Sequence, residues 1–113
     1  MAQGFARAAQ EAAKRMSERT TPALNELDAL LPMIKALPKS ADAERLLDDT
    51  EALRRAVAAF HMEAIRFRMH SVDRYIKIVG DDAIMRSTFE NLRHALETAG
   101  FHTRSHSAPE KKS

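Results

Sequence analysis

Residues 41–80 read ADAERLLDDTEALRRAVAAFHMEAIRFRMHSVDRYIKIVG, and neither Gly nor Pro interrupts them before Gly80. A run so rich in Ala, Leu, Glu and Arg predicts a single helix from about 41 to 79. At 1.5 Å per residue that helix is about 57 Å long and demands partners along its length. Two apolar stripes describe those partners. The first runs Leu46, Leu53, Val57, Phe60, Ala64, Phe67 and Ile78; the second begins only at Met62 and continues Ile65, Met69, Val72, Ile76 and Val79. At 100° per residue the stripes lie about 130° apart, so the front half needs one neighbour and the back half needs two.

The sequence on either side supplies them. Pro38, Lys39 and Ser40 make a turn in which Ser40 can cap the long helix. Before it, a helix over about 22–37 carries Leu24, Leu27, Leu31 and Ile34. Thr20 or Thr21 followed by Pro22 reads as an N-terminal cap, with proline in the first turn. This separates off an earlier helix, about 3–19, whose Phe5, Ala9, Ala12 and Met16 are expected to continue along the first stripe beside Phe60 and Phe67. After the long helix, Gly80 is a stop, and Asp81 and Asp82 offer the next cap. A helix over about 82–99 brings Met85, Phe89, Leu92, Leu96 and Ala99 back onto the second stripe. Gly100 closes it, and Phe101 falls where a Schellman ending sets an apolar residue against Leu96. The expected fold is all-α: an antiparallel helical bundle built on one long central helix (about 41–79), with a broken N-terminal helix and a C-terminal helix. Residues 1–101 make a single domain and 102–113 a flexible polar tail.

Composition narrows the function classes. The 113 residues include 18 Lys+Arg against 16 Asp+Glu, no Cys and no Trp, and only 5% aromatics. Disulfides, zinc-thiolate sites and cysteine nucleophiles are therefore excluded. No apolar run approaches a membrane span, and Glu11 and Glu18 set the Arg-bearing first 19 residues apart from an organelle transit peptide, so a cytoplasmic location is expected. No Gly-rich turn cradles a phosphate. His61 and His70 are nine apart and do not share a face; Glu90 and His94 are spaced by four and occur once; His102 and His106 follow a helix stop. No metal site and no cofactor is expected.

Two groups of residues stand out. The hairpin of the 22–37 helix and the start of the long helix cannot enclose a core, and Leu30, Met33, Leu37 and Leu47 are surplus to it. Pairing of two hairpins into a four-helix bundle is the economical answer, giving a homodimer with Leu27, Leu30, Leu31, Ile34, Leu46, Leu47 and Leu53 at its interface. The second group is Arg54, His61, Arg68 and Tyr75, which recur every seven residues and form one polar row on a continuous helix. Its arginines suit an anionic group or a partner's carboxylates, or lie as long stems over a crevice with their heads in water. These features predict a non-enzymatic interaction module, an adaptor, small chaperone or regulator, whose partner is a second copy and possibly another protein.

Two resemblances offer alternatives. Ala58-Ala59-Phe60-His61 places a histidine near the middle of the chain, as histidine phosphotransfer domains do, but that family has Lys and Gly three and four residues later, where Ala64 and Ile65 stand here. Arg54 or Arg55 followed by His61 resembles the Arg and His pair of the HEPN class of dimeric helical ribonucleases, without the polar residue usually beside that Arg; the resemblance implies RNA cleavage centred on Arg54, Arg55 and His61. A further alternative is a regulator touching nucleic acid through Arg66, His70, Arg74 and Lys77, although no aromatic interleaves them.

Overall fold

The computed structural model describes residues 2–103, with the side chains of 2–6, 12, 13 and 16 outside that description. Four helices follow one another in the described residues: α1 (Ala2–Lys35), α2 (Ala41–Ala58), α3 (Met62–Val79) and α4 (Ala83–Thr98). Each sends one stripe to a common core, those of α1, α3 and α4 at alternating threes and fours. These are Ala23, Leu27, Leu30 and Ile34 from α1; Leu46, Leu53, Ala56 and Val57 from α2; Ile65, Met69, Val72 and Ile76 from α3; and Met85, Phe89, Leu92 and Leu96 from α4. The all-α bundle is thus present, and it closes within one chain. α1 lies between α2 and α4, α2 packs on α3, and α3 meets α4 only sparsely. The result is a flat molecule of 57 × 40 × 20 Å. Its radius of gyration of 16.2 Å exceeds the roughly 13 Å of a compact chain of this size.

The long helix expected over 41–79 is two helices. At the end of α2 the His61 N–H donates to the Ala56 carbonyl and the Phe60 N–H to that of Val57, the paired bonds of a Schellman ending. The left-handed residue that such an ending requires is Phe60, with φ 56°. His61 then caps α3, its Nδ1 accepting from the Ala64 N–H at 3.3 Å. The break turns the helix axis back, so α3 runs antiparallel to α2 and brings the second stripe onto the core. The continuation of the first stripe is left outside: Phe67 is 60% and Ile78 48% exposed.

The expected division of the N-terminal helix at Thr20–Pro22 is absent. α1 runs through both Pro22 and Pro32. The Thr20 and Thr21 hydroxyls bond back to the Ser17 carbonyl rather than capping a new helix. α4 lies across the proline, with Glu18, Arg19, Pro22 and Glu26 facing Asn91, His94, Ala95 and Thr98, and Arg19 donates to the Ala99 carbonyl at 2.6 Å. A partner helix bridging both sides outweighs the one backbone bond that proline removes. Of the residues expected beside Phe60 and Phe67, Ala9 is exposed, as are its neighbours from Arg7 to Glu11, while the side chains of Phe5, Ala12 and Met16 lie outside the described residues.

The remaining ends follow their sequence signals. Ser40 accepts from the Ala43 N–H, and Asp82 from those of Ile84 and Met85. Gly80 (φ 132°) ends α3, where the Asp81 N–H reaches the Ile76 carbonyl. Beyond α4 the Phe101 N–H reaches the Leu96 carbonyl, as expected. Thr103 is buried, accepts from Arg93 and donates to Glu97 at 3.0 Å. The rest of the expected tail, 104–113, lies outside the described residues.

Candidate functional site

The row Arg54, His61, Arg68 and Tyr75 does not survive the break, because its members now stand on separate elements with separate partners. Arg54 projects from α2 to α1, where its Nε and Nη2 grip the two oxygens of Asp28 at 2.8 and 3.3 Å. That hydrogen bond holds the Asp28 carboxyl below its ordinary pKa and raises that of Arg54. His61 is a helix cap. Arg55, the other arginine of the ribonuclease resemblance, is exposed on α2. Neither arginine therefore shares a helix with His61.

Arg68 and Tyr75 belong to the seam between α2 and α3, which is organised by a residue that the sequence reading passed over. Asp49 projects from the core-facing side of α2, its side chain 2% exposed. Arg68 Nη1 donates to Asp49 Oδ1 at 2.7 Å, and the Ser71 hydroxyl donates to Oδ2. Arg45 Nε lies 3.5 Å from the same oxygen, and its guanidinium sits 5.2 Å from the Tyr75 ring. A carboxylate this deep needs its charge met and its lone pairs filled, and these residues do both. A signal for it existed: Asp49 falls between Leu46 and Leu53 at helical spacing, a polar residue within an apolar stripe.

A second polar seam fills the sparse contact between α3 and α4. Arg86 Nη1 donates to Asp73 at 2.6 Å and to Glu90 at 3.2 Å, while its Nε donates to Asp81 at 3.0 Å. Burial works against the charge on Arg86, yet the hydrogen bonds to Asp73 and Asp81 lift its pKa above the ordinary value. Arg93, 12% exposed at its side chain, joins Glu90 to Thr103. Both arginines lie within 5.5 Å of the Phe89 ring centre.

The expected dimer contacts are mostly enclosed. Leu27, Leu30, Ile34, Leu46 and Leu53 are at most 2% exposed within the single chain, and Leu31 and Leu47 are half-buried. The physical reason is the break: with α3 folded back along α2 and α4 laid on α1, the hairpin gains two covering helices from its own chain. Among the described residues the large apolar side chains left exposed are instead Phe67 and Ile78 on α3 and Ile84 at the start of α4. Around Phe67 and Ile78, His70 and Arg74 are exposed, and Lys77 pairs loosely with Asp73 at 3.6 Å. Arg66 is half-buried, so the four expected basic residues do not form one open patch.

A groove of about 520 Å³ between α1 and α4 is lined by Glu18, Arg19, Pro22, Glu26, His94 and Ala95 among others. Among the described residues no group of three or more His, Asp or Glu is placed to hold a metal ion, and no helix is long and apolar enough to cross a membrane. No family model, characterised protein or solved structure matches this chain.

Proposed function

We propose that the chain is a non-enzymatic helical interaction module whose contact surface is the outer face of α3. The observation that carries this reading is the pair Phe67 and Ile78, 60% and 48% exposed on one side of a helix whose other side fills the core. An isolated exposed apolar residue is ordinary, but two on one face, three turns apart, form the kind of strip that another macromolecule covers. The polar residues support the same reading. Arg54, Arg68 and Tyr75 engage Asp28, Asp49 and Arg45 within the chain, and His61 caps a helix. Their roles are therefore structural, and the surface they leave is a contact surface rather than a reaction centre.

The test is photo-crosslinking in cells that express the chain. A benzophenone amino acid placed at Phe67 is expected to give adducts of discrete mass, whereas the same group at exposed Asn91 on α4 gives none. Equal labelling from both positions, or none from Phe67, overturns the assignment of the face.

A further inference from the structure

We propose that the partner for this face is a second copy of the chain, with α2 of each copy laid on α3 of the other about a two-fold axis parallel to the helices. The inference rests on the assignment of the α3 outer face above and adds what covers it. On α2, the side turned away from Leu46, Leu53 and Val57 carries Glu44, Asp48, Glu51 and Arg55, within about 60° of one another at 100° per residue. On α3, the corresponding outward side carries Phe67, Arg74 and Ile78, flanked by Glu63 and His70. Arg74, Asp48 and Glu44 are exposed and make no ion pair within the chain among the described residues. One molecule thus presents an acidic strip beside an apolar and basic one.

The two strips match in order as well as in sign. Asp49 reaches Arg68 and Ser71, and Arg45 lies against Tyr75, so these contacts fix which turns of α2 and α3 stand side by side. Glu44 is level with the turn holding Arg74, Asp48 with that holding His70, and Arg55 with that holding Glu63. A two-fold axis parallel to the helices keeps every level unchanged while placing α2 over α3. Glu44 and Asp48 then meet Arg74 and His70 of the other copy, and Arg55 meets Glu63, so the sign reverses on both helices at the same end. An axis perpendicular to the helices would instead lay α2 on α2 in the reverse direction, where Glu44 meets Arg55 but Asp48 meets Glu51, so the charges match less completely.

The size of the face agrees. Each helix has 18 residues, about 27 Å at 1.5 Å per residue. Two helices side by side, each roughly 10 Å across, give a face of about 500 Å². Two such faces bury a little over roughly 1,000 Å² in total, the lower end for a specific interface. Association is therefore expected to be weak, and sensitive to salt because its pairs lie at an exposed rim.

The experiment is sedimentation equilibrium of the purified full chain from about 10 µM to 1 mM, a span that brackets the micromolar dissociation constants of small interfaces. The mass is expected to rise from 12.7 kDa towards twice that value at low salt and to fall back at high salt. Arg74→Glu and Glu44→Arg, at positions that face each other across the axis, should each abolish the rise, with circular dichroism unchanged because neither side chain makes an ion pair among the described residues. Mixing the two variants in equal amounts should restore it, since each then meets opposite charge in the other. A parent chain that stays at 12.7 kDa throughout, single variants that associate like the parent, or a mixture that stays monomeric would each overturn the proposal. The two readings fail separately. Phe67 adducts whose mass is not that of a second copy retain the contact surface and reject this partner; absence of any Phe67 adduct rejects the surface.

Discussion

Replacing Phe60 by Gly and, separately, by Ala distinguishes a broken from a continuous helix by the sign of one difference. Both substitutions remove the same half-buried ring, so its loss cancels in the comparison. With φ 56° at position 60, the Ala variant keeps a Cβ in the left-handed region at a cost of roughly 1–2 kcal/mol, which Gly does not incur. Gly has more freedom to lose from the unfolded chain, roughly 0.5–1 kcal/mol. The balance leaves the Gly variant more stable by about 0.5–1 kcal/mol. In an uninterrupted helix from 41 to 79 the order reverses, because Ala exceeds Gly by about 1 kcal/mol in a helix interior. Thermal unfolding followed at 222 nm resolves the two cases, since 1 kcal/mol moves the midpoint by roughly 4–8 °C in a domain of this size. A Gly variant melting a few degrees above the Ala variant is expected. An Ala variant melting above the Gly variant would refute the turn at 59–61, and with it the placement of Phe67 and Ile78 on the surface.

Arg68→Ala is expected to lower unfolding stability by about 3 kcal/mol in urea titrations, because it leaves the buried Asp49 carboxylate without its principal cation. A loss below about 1 kcal/mol would show that Arg68 is not needed to hold α3 on α2. His61→Asp should stabilise the protein at neutral pH by roughly 0.5–1 kcal/mol, as a carboxylate is a better cap and complements the helix N-terminus; a decrease would assign His61 a role beyond capping. Asp28 bears on acid stability. Its carboxyl is held below the ordinary 3.8 by Arg54, so its contribution is present above that pH and is lost as the pH falls through the lowered value. Asp28→Asn should therefore make the fall in stability below pH 3.8 shallower, and an unchanged slope would contradict the pairing.

Much of the bundle is legible in local signals. Ser40, Gly80, Asp82 and Gly100 act where their chemistry places them, and the stripes Ile65–Met69–Val72–Ile76 and Met85–Phe89–Leu92–Leu96 meet in the core as their spacing implies. The break at 59–61 was hidden because the left-handed position is filled by Phe60 rather than by Gly, so no residue there announces a stop. A trace of it was present in the second stripe, which begins only at Met62 and about 130° from the first. Such a jump is what a turn between two helices produces when both must face one core. The candidate row Arg54, His61, Arg68 and Tyr75 depended on helix continuity through that point and dissolved with it.

From the sequence alone came the helix class, four of the helix ends and the identity of the apolar stripes, because capping and amphipathic spacing act within a few residues along the chain. Tertiary structure decided the rest. Packing against α4 carried α1 through Pro22, and the turn at Phe60 doubled the long run back on itself so that a single chain encloses its own core. The same turn drew Asp49 inside and left Phe67 and Ile78 outside. These outcomes depend on which helix lies beside which, and propensity and spacing within one segment carry no information about a neighbour far away in the chain.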